Sequence, residues 1–412
     1  MEQDILLIIA KHIKEMRIRR GLSQNKLAKT LNIGQPVLSR IENGHSNVAI
    51  SNYVSVLTFL NYKITSINDE NLHHFFDDLR KGNKKRLTDY EQEILDKSSL
   101  QTLTLTDIIC LKIIQSYLAY FNRNMKRFKQ FISILEAFSE LADDYFIYRL
   151  KQLQGLYHIM TLEYGRAEQL LESAYSHSLR CGKEDELILY QRCWIYSKQK
   201  NFTQSSLCLY EAEQFANFSQ NTNRIIDIDN LLAINYMADY ETDLAIAYLK
   251  RCENSTKAKH NDDFYSQVIY NLGLSHYLKK DYEKAALYFE RSFKIKDSRR
   301  DHGLTLSYLL KTLIILKDEE RLATYQPFIK EILADEHQTG KKFVQLVKIE
   351  LEQGKTETYY KFLEKEIIPS LNPSYNRIRL KLLYEELSQF YWNHKQYKNY
   401  KMIVNHMMSL IT

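Results

Sequence analysis

A chain of 412 residues with only 4 Pro and 11 Gly is too long for one ordinary core and too poor in turn formers for a sheet-rich fold, so it reads as all-α, in two parts or as an extended array. Five cysteines without a CxxC pair exclude a disulfide framework and a zinc site and suit a reducing cytoplasm; no apolar run is long enough for a membrane span. Residues 1–66 hold nine Lys/Arg against four Asp/Glu, which is +5 of the net +6, and such a one-ended surplus fits a module that neutralises phosphates.

In chain order, Leu6, Ile9, Ala10, Ile13 and Met16 have the spacing of an amphipathic helix, which Gly21 ends. Acidic Glu2 and Asp4 ahead of the apolar ILLIIA run, with no small-residue cleavage site after it, argue against a signal peptide. Ser23 caps a second helix that buries Leu27, Ala28 and Leu31; Lys26 stands where a capping box needs Glu or Gln. The turn Asn32-Ile33-Gly34 opens a third helix with Val37, Leu38 and Ile41 inward, and Pro36 is tolerated in its first turn. Asn43-Gly44 ends that helix, and a fourth buries Ile50, Tyr53, Val54, Leu57 and Leu60.

Gln35, Ser39, Arg40 and Asn43 are left outward on the third helix. These groups suit base edges, because Gln pairs with adenine, Arg with guanine, and Ser with either a base or a phosphate. Gln24 and Lys26, at the start of the second helix, are placed for phosphates. Arg17, with Arg19, Arg20 and Lys29, adds less specific attraction, whereas Glu42 is expected to pair inside the domain.

The run from Ile13 to Leu60, with Gly-Leu-Ser-Gln at 21–24, Leu-Ala at 27–28 and Leu-Ser-Arg-Ile-Glu-Asn-Gly at 38–44, resembles the Cro/C1-type (XRE) helix-turn-helix. The resemblance implies a double-stranded DNA operator as partner, met by Gln24 and the outward residues of the Gln35–Arg40 helix. Pro36 departs from the family, which often has a polar residue there.

Residues 67–110 read as a helical linker, polar and mixed in charge, with short helices near Leu72–Leu79 and Tyr90–Leu95. His73-His74 and Asp77-Asp78 suggest a metal site only superficially, since adjacent residues leave a helix on different sides; no metal and no cofactor are expected. Lys81, Lys84, Lys85 and Arg86 read as solvated charge.

Residues 111–412 repeat. Gly273 stands twelve residues before Ala285, which is followed by Phe289; the same register sets Gly155 against Ala167 and Leu171, and Ala233 against Ala245 and Leu249. Small residues at such positions let antiparallel helices approach closely, and the pattern resembles a tetratricopeptide array with a period lengthened beyond about 34 residues. A right-handed helical solenoid with a concave face is implied. The first helix of each pair should line that face with Arg149, Gln152, Tyr190, Trp194, Asn230, Gln267, Tyr270 and Tyr277, side chains that can clamp a peptide backbone or receive its side chains. Asp143-Asp144 and Asp262-Asp263 are expected in loops between helices. No GxSxG, P-loop, HExxH or glycine-rich phosphate cradle occurs, so the chain is read as a non-enzyme.

This order of parts is similar to the Rgg/PlcR/PrgX/NprR group of peptide-pheromone receptors. The resemblance implies a cytoplasmic homodimer that binds an operator and is switched by a short signalling peptide held in the array (residues 111–412). The alternative is an array that binds or inhibits a phosphorelay protein, with DNA binding subsidiary.

Overall fold

The computed structural model describes residues 2–64, 70–80, 86–87, 89–96, 104–183, 185–199, 201–256, 262–295, 302–335 and 340–411. Among them there is no strand, as expected of an all-α chain, and no helix is long and apolar enough to cross a membrane. The contacts divide the chain into two units, residues 1–195 with 210–224, and residues 196–209 with 225–412.

The first unit begins with α1 (Glu2–Arg19), α2 (Gln24–Thr30), α3 (Gln35–Glu42) and α4 (Ile50–Phe59). Ile9, Ile13, Leu27, Leu38, Ile41, Tyr53 and Leu57 meet in a fully buried core, as their spacing predicts. Ser23 Oγ accepts the amide of Lys26 and caps α2 without a capping box. Gly44 closes α3 at φ +66, and a Cβ there would lie 2.8 Å from Leu7 Cδ2, so both backbone sign and space require glycine. Beyond α4 the main chain turns onto the next helices, where the Ile64 amide donates to the Leu141 carbonyl at 2.8 Å.

Residues of the expected linker form α5 (Glu70–Arg80) and α6 (Asp89–Asp96). They are apolar on one side rather than solvated all round: Leu72, Phe75, Phe76, Leu87 and Tyr90 are buried, and the rings of Phe75 and Phe76 pack on Tyr117. Tyr90 donates to the buried Asp78 carboxylate at 2.5 Å. Lys81, Lys84, Lys85 and the side chain of His73 lie outside the described residues.

The hairpins follow as α7 (Leu105–Phe121), α8 (Met125–Ala137), α9 (Asp144–Met160), α10 (Tyr164–Arg180), α11 (Glu186–Lys198) and α12 (Phe202–Phe218), the last two shared between the units. The second unit continues with α13 (Thr222–Ala238), α14 (Thr242–Thr256), α15 (Asp262–Leu278), α16 (Tyr282–Ile295), α17 (His302–Leu316), α18 (Glu319–Tyr325), α19 (Phe328–Ala334), α20 (Lys341–Gln353), α21 (Glu357–Phe362), α22 (Pro373–Asn393) and α23 (Tyr397–Ile411). Pro327 and Pro369 fall at helix ends and Pro373 opens α22, as turn markers should.

The small-residue register is a close-packing register. A Cβ at Gly155 would lie 2.8 Å from the Leu171 side chain, and one at Gly273 would lie 2.7 Å from the Phe289 ring. Among the described residues, five hairpin turns are built alike: a residue in the left-handed region is followed at once by a polar residue whose amide returns to a carbonyl five residues back. The pairs Arg123-Asn124, Leu162-Glu163, Tyr240-Glu241, Lys280-Asp281 and Lys317-Asp318 all do this. The polar residue then starts the next helix, and the oxygens of Asn124 and Asp318 accept amides of that helix. Asp143 likewise caps α9 from the end of its loop, whereas the main chain of Asp262 already belongs to α15.

Candidate nucleic-acid interface and ligand groove

The outward face of α3 is held by a chain of hydrogen bonds that begins in the core. Arg17 Nε donates to Glu42 Oε1 at 2.5 Å and Nη2 to Oε2 at 3.0 Å, while Nη1 donates to the Leu22 carbonyl at 2.7 Å. The Arg17 side chain is 11% exposed and that of Glu42 2%, and the hydrogen bond to the carboxylate raises the pKa of the guanidinium. Glu42 thus pairs inside the domain as expected. Arg17, expected to add attraction for DNA, is held inside the domain, with three of its five N–H groups given to Glu42 and the Leu22 carbonyl.

Gln24 Nε2 donates to Glu42 Oε2 at 2.7 Å, and Gln24 Oε1 accepts Gln35 Nε2 at 3.0 Å. Because a carboxylate only accepts, Gln24 must turn its amide nitrogen inward and its oxygen outward. Gln35 then keeps one N–H and its oxygen for an outside partner, the donor and acceptor pair that adenine requires. Gln24 is half-buried and acts here as the support of Gln35. Arg40 and Asn43 are exposed and Ser39 half-exposed; Asn43 Nδ2 is bonded to the Ser39 carbonyl at 2.8 Å. Lys26 is exposed at the start of α2, beside exposed Arg19, Arg20 and Lys29. This face presents one oriented amide and several cations, enough for base and phosphate contacts together.

The eight residues expected to line the array fall in two groups. In the first unit, Arg149 and Gln152 are buried, which corrects the expectation that they stand open to a ligand. Arg149 lies 3.4 Å from the Phe76 ring centroid and pairs with Asp185 at 3.0 Å, while Gln152 accepts from Tyr117 at 2.7 Å and donates to Gln191 at 3.1 Å. They therefore pin α5 and α7 to α9 and α11. Tyr190 and Trp194 are half-buried; Arg224 lies over the Tyr190 ring, and Trp194 meets Tyr164 edge-on.

In the second unit, Asn230 accepts from Asn271 at 3.2 Å, Gln267 is exposed, and Tyr277 is half-buried between Tyr282 and Tyr308. Tyr270 is buried against Phe289 and Tyr308, and its hydroxyl accepts from Arg379 at 3.3 Å. Helix α22 thus reaches back across α15 and α17. Sequence reasoning placed no lining residue on this helix because the repeat pattern is weak after residue 300. The basic spacing Arg377, Arg379, Lys381 was the available signal.

A polar cluster joins the same helix to its neighbours. Lys311 Nζ lies 3.4 Å from Glu386 Oε2 and 3.1 Å from the Tyr359 hydroxyl, and Lys355 Nζ lies 2.6 Å from Glu386 Oε1. Burial works to raise the Glu386 carboxyl, but Lys311 and Lys355 outweigh it and hold the pKa down at about 2. The neighbouring Glu350 is pushed upward by its burial.

Residues 13–67 match the helix-turn-helix family. No curated protein matches the chain by sequence. Among solved structures, the apo form of the quorum sensor NprR from B. thuringiensis superposes with a TM-score of 0.65 at 15% identity, over 83% of this chain and 98% of that one. A Rap protein complexed with competence and sporulation factor gives 0.62 at 14% identity, over 87% and 98%. Aspartyl phosphate phosphatase F from Bacillus subtilis gives 0.52 at 14% identity, over 98% and 93%. The chain carries an N-terminal helix-turn-helix domain and shares the tetratricopeptide-like helical fold of the NprR and Rap structures.

Proposed function

We propose that this protein is a transcriptional regulator that binds operator DNA as a homodimer through α3 and is switched by a short peptide held in its helical array. The observation that carries the reading is the Arg17–Glu42–Gln24–Gln35 chain, which fixes an exposed amide on the helix that the motif devotes to DNA. The array supports the peptide part, because NprR has been solved with its cognate peptide NprX and a Rap protein with competence and sporulation factor. In this reading the protein works by binding and not by catalysis, in the cytoplasm, where DNA and an imported peptide can meet.

Two reading helices in a dimer address half-sites about 34 Å apart or a multiple of it. A peptide changes occupancy only if it binds one arrangement of the pair more tightly than the other. Selection of DNA from a random duplex pool by the full-length protein, followed by gel-shift titration with synthetic peptides encoded beside its gene, tests both halves. Recovery of no preferred sequence sinks the DNA reading; unchanged affinity and dimer geometry with every peptide sinks the switch. A second reading, in which the array holds a phosphorelay protein and DNA binding is subsidiary, draws on the fold match to the aspartyl phosphate phosphatase along nearly the whole chain. It predicts an Arg40→Ala protein that loses its operator and keeps its cellular effect.

A further inference from the structure

Within the second unit, helix α22 carries three cations, Arg377, Arg379 and Lys381, and among the described residues none of them makes an ion pair. Each lies beside a ring instead: Arg377 is 4.5 Å from the Phe202 centroid, Lys381 3.5 Å from that of Tyr240, and Arg379 5.9 Å from that of Tyr270. Asp239 and Glu385 act on Arg377 and Lys381 from farther away. The hydrogen-bond partners of Arg379 are neutral: the Asn376 Oδ1 at 2.7 Å, the Tyr270 hydroxyl at 3.3 Å and the Tyr308 hydroxyl. Arg379 Nε and Arg377 Nη1 are both buried with no hydrogen-bond partner.

This arrangement is costly unless something completes it. A guanidinium withdrawn from water needs acceptors for all its N–H groups, and rings satisfy only its face. Lys311, the other cation near the Tyr308 hydroxyl, is neutralised by Glu386, so the unanswered charge is that of Arg379. A carboxylate supplies what is missing, because its two oxygens accept from the guanidinium fork in parallel.

We propose that Arg379 binds a carboxylate of the peptide ligand, its C-terminal one, on the α22 wall of the second unit. This rests on the peptide-switched reading above and adds to it the end of the ligand that is recognised and the residue that recognises it.

The test uses the full-length protein and three random heptapeptide mixtures: free acids without Asp or Glu, the same sequences as C-terminal amides, and amides containing Asp. Retention in equilibrium dialysis is read by mass spectrometry. The wild type should retain the free acids at least about tenfold better than the Asp-free amides. That preference should vanish in Arg379→Gln and be partly kept in Arg379→Lys, whose weakened preference also serves as the test if Arg379→Gln fails to fold. Selective retention of the Asp-containing amides would move the carboxylate to a side chain and overturn the C-terminal assignment. Equal retention of acids and amides overturns the carboxylate proposal and leaves the peptide reading standing. If no mixture is retained, the peptide reading fails, and acetate decides the site by itself. An acetate-dependent rise in melting temperature that is lost in Arg379→Gln supports it, and no such rise overturns it.

Discussion

Arg17, near the end of α1, and Glu42, at the end of α3, form a two-pronged ion pair inside the helix-turn-helix core, and the same carboxylate orients Gln24. Removing one partner strands a charge that is nearly out of water, which costs about 3 kcal/mol or more. Glu42→Ala should therefore unfold α1 to α4 at lower denaturant than the wild type. The double change Arg17→Met with Glu42→Leu should recover most of the loss. Hydrogen exchange of the α1–α4 amides measures it, and equal protection in the single variant and the wild type would contradict it.

The same chain of bonds predicts a division of labour on DNA. Arg40→Ala and Gln35→Ala should each cost about 1–3 kcal/mol on a selected duplex and relax preference at one base pair. Lys29→Ala should weaken all duplexes alike and lower the salt slope by about 1. Competition binding at two salt concentrations separates the two patterns.

Close helix contact in the second unit rests on Gly273. Gly273→Ala places a methyl group 2.7 Å from the Phe289 ring, and such overpacking typically costs about 1–3 kcal/mol. Phe289→Leu should make the alanine tolerable while being destabilising alone, so the two changes should be non-additive in urea melts.

Acid sensitivity follows from Glu386. Its carboxyl is held at about 2 in the folded chain, below the ordinary 4.5, so its stabilisation is complete above 4.5 and is lost as pH falls toward 2. The loss is on the order of 3 kcal/mol. Glu350 has the opposite sign, because its raised carboxyl burdens the fold at neutral pH and that burden is relieved on protonation. Glu386→Gln should flatten the decline of stability between pH 4.5 and 2, and Glu350→Gln should stabilise the chain at pH 7. A Glu386→Gln profile parallel to the wild type would refute the assignment.

Local pattern carried the N-terminal helices into view, because their cores use residues three and four apart and their ends use Ser23, Gly21 and Gly44. Gly155 and Gly273 were equally readable, since a small residue facing a large one sixteen positions later is a contact inside one hairpin. What stayed hidden was long-range. Arg17 looks like surface charge until Glu42, on another helix, is seen beside it. Arg149 and Gln152 occupy groove positions by register, yet α5, α7 and α11 supply their partners. Arg379 meets Tyr270 across 109 residues, a separation no helical period can reveal.

The bond from the Ile64 amide to the Leu141 carbonyl joins two stretches of main chain, so no side chain is needed to keep it. Proline at 64 would remove its donor, while the buried Ile64 and Leu141 side chains pack the two stretches into the core. The fastening between the helix-turn-helix and its neighbouring hairpins therefore combines a main-chain bond with buried side chains at both of its ends. In the proposed reading, a change in the operator that is read or in the signal that is answered need not touch this joint.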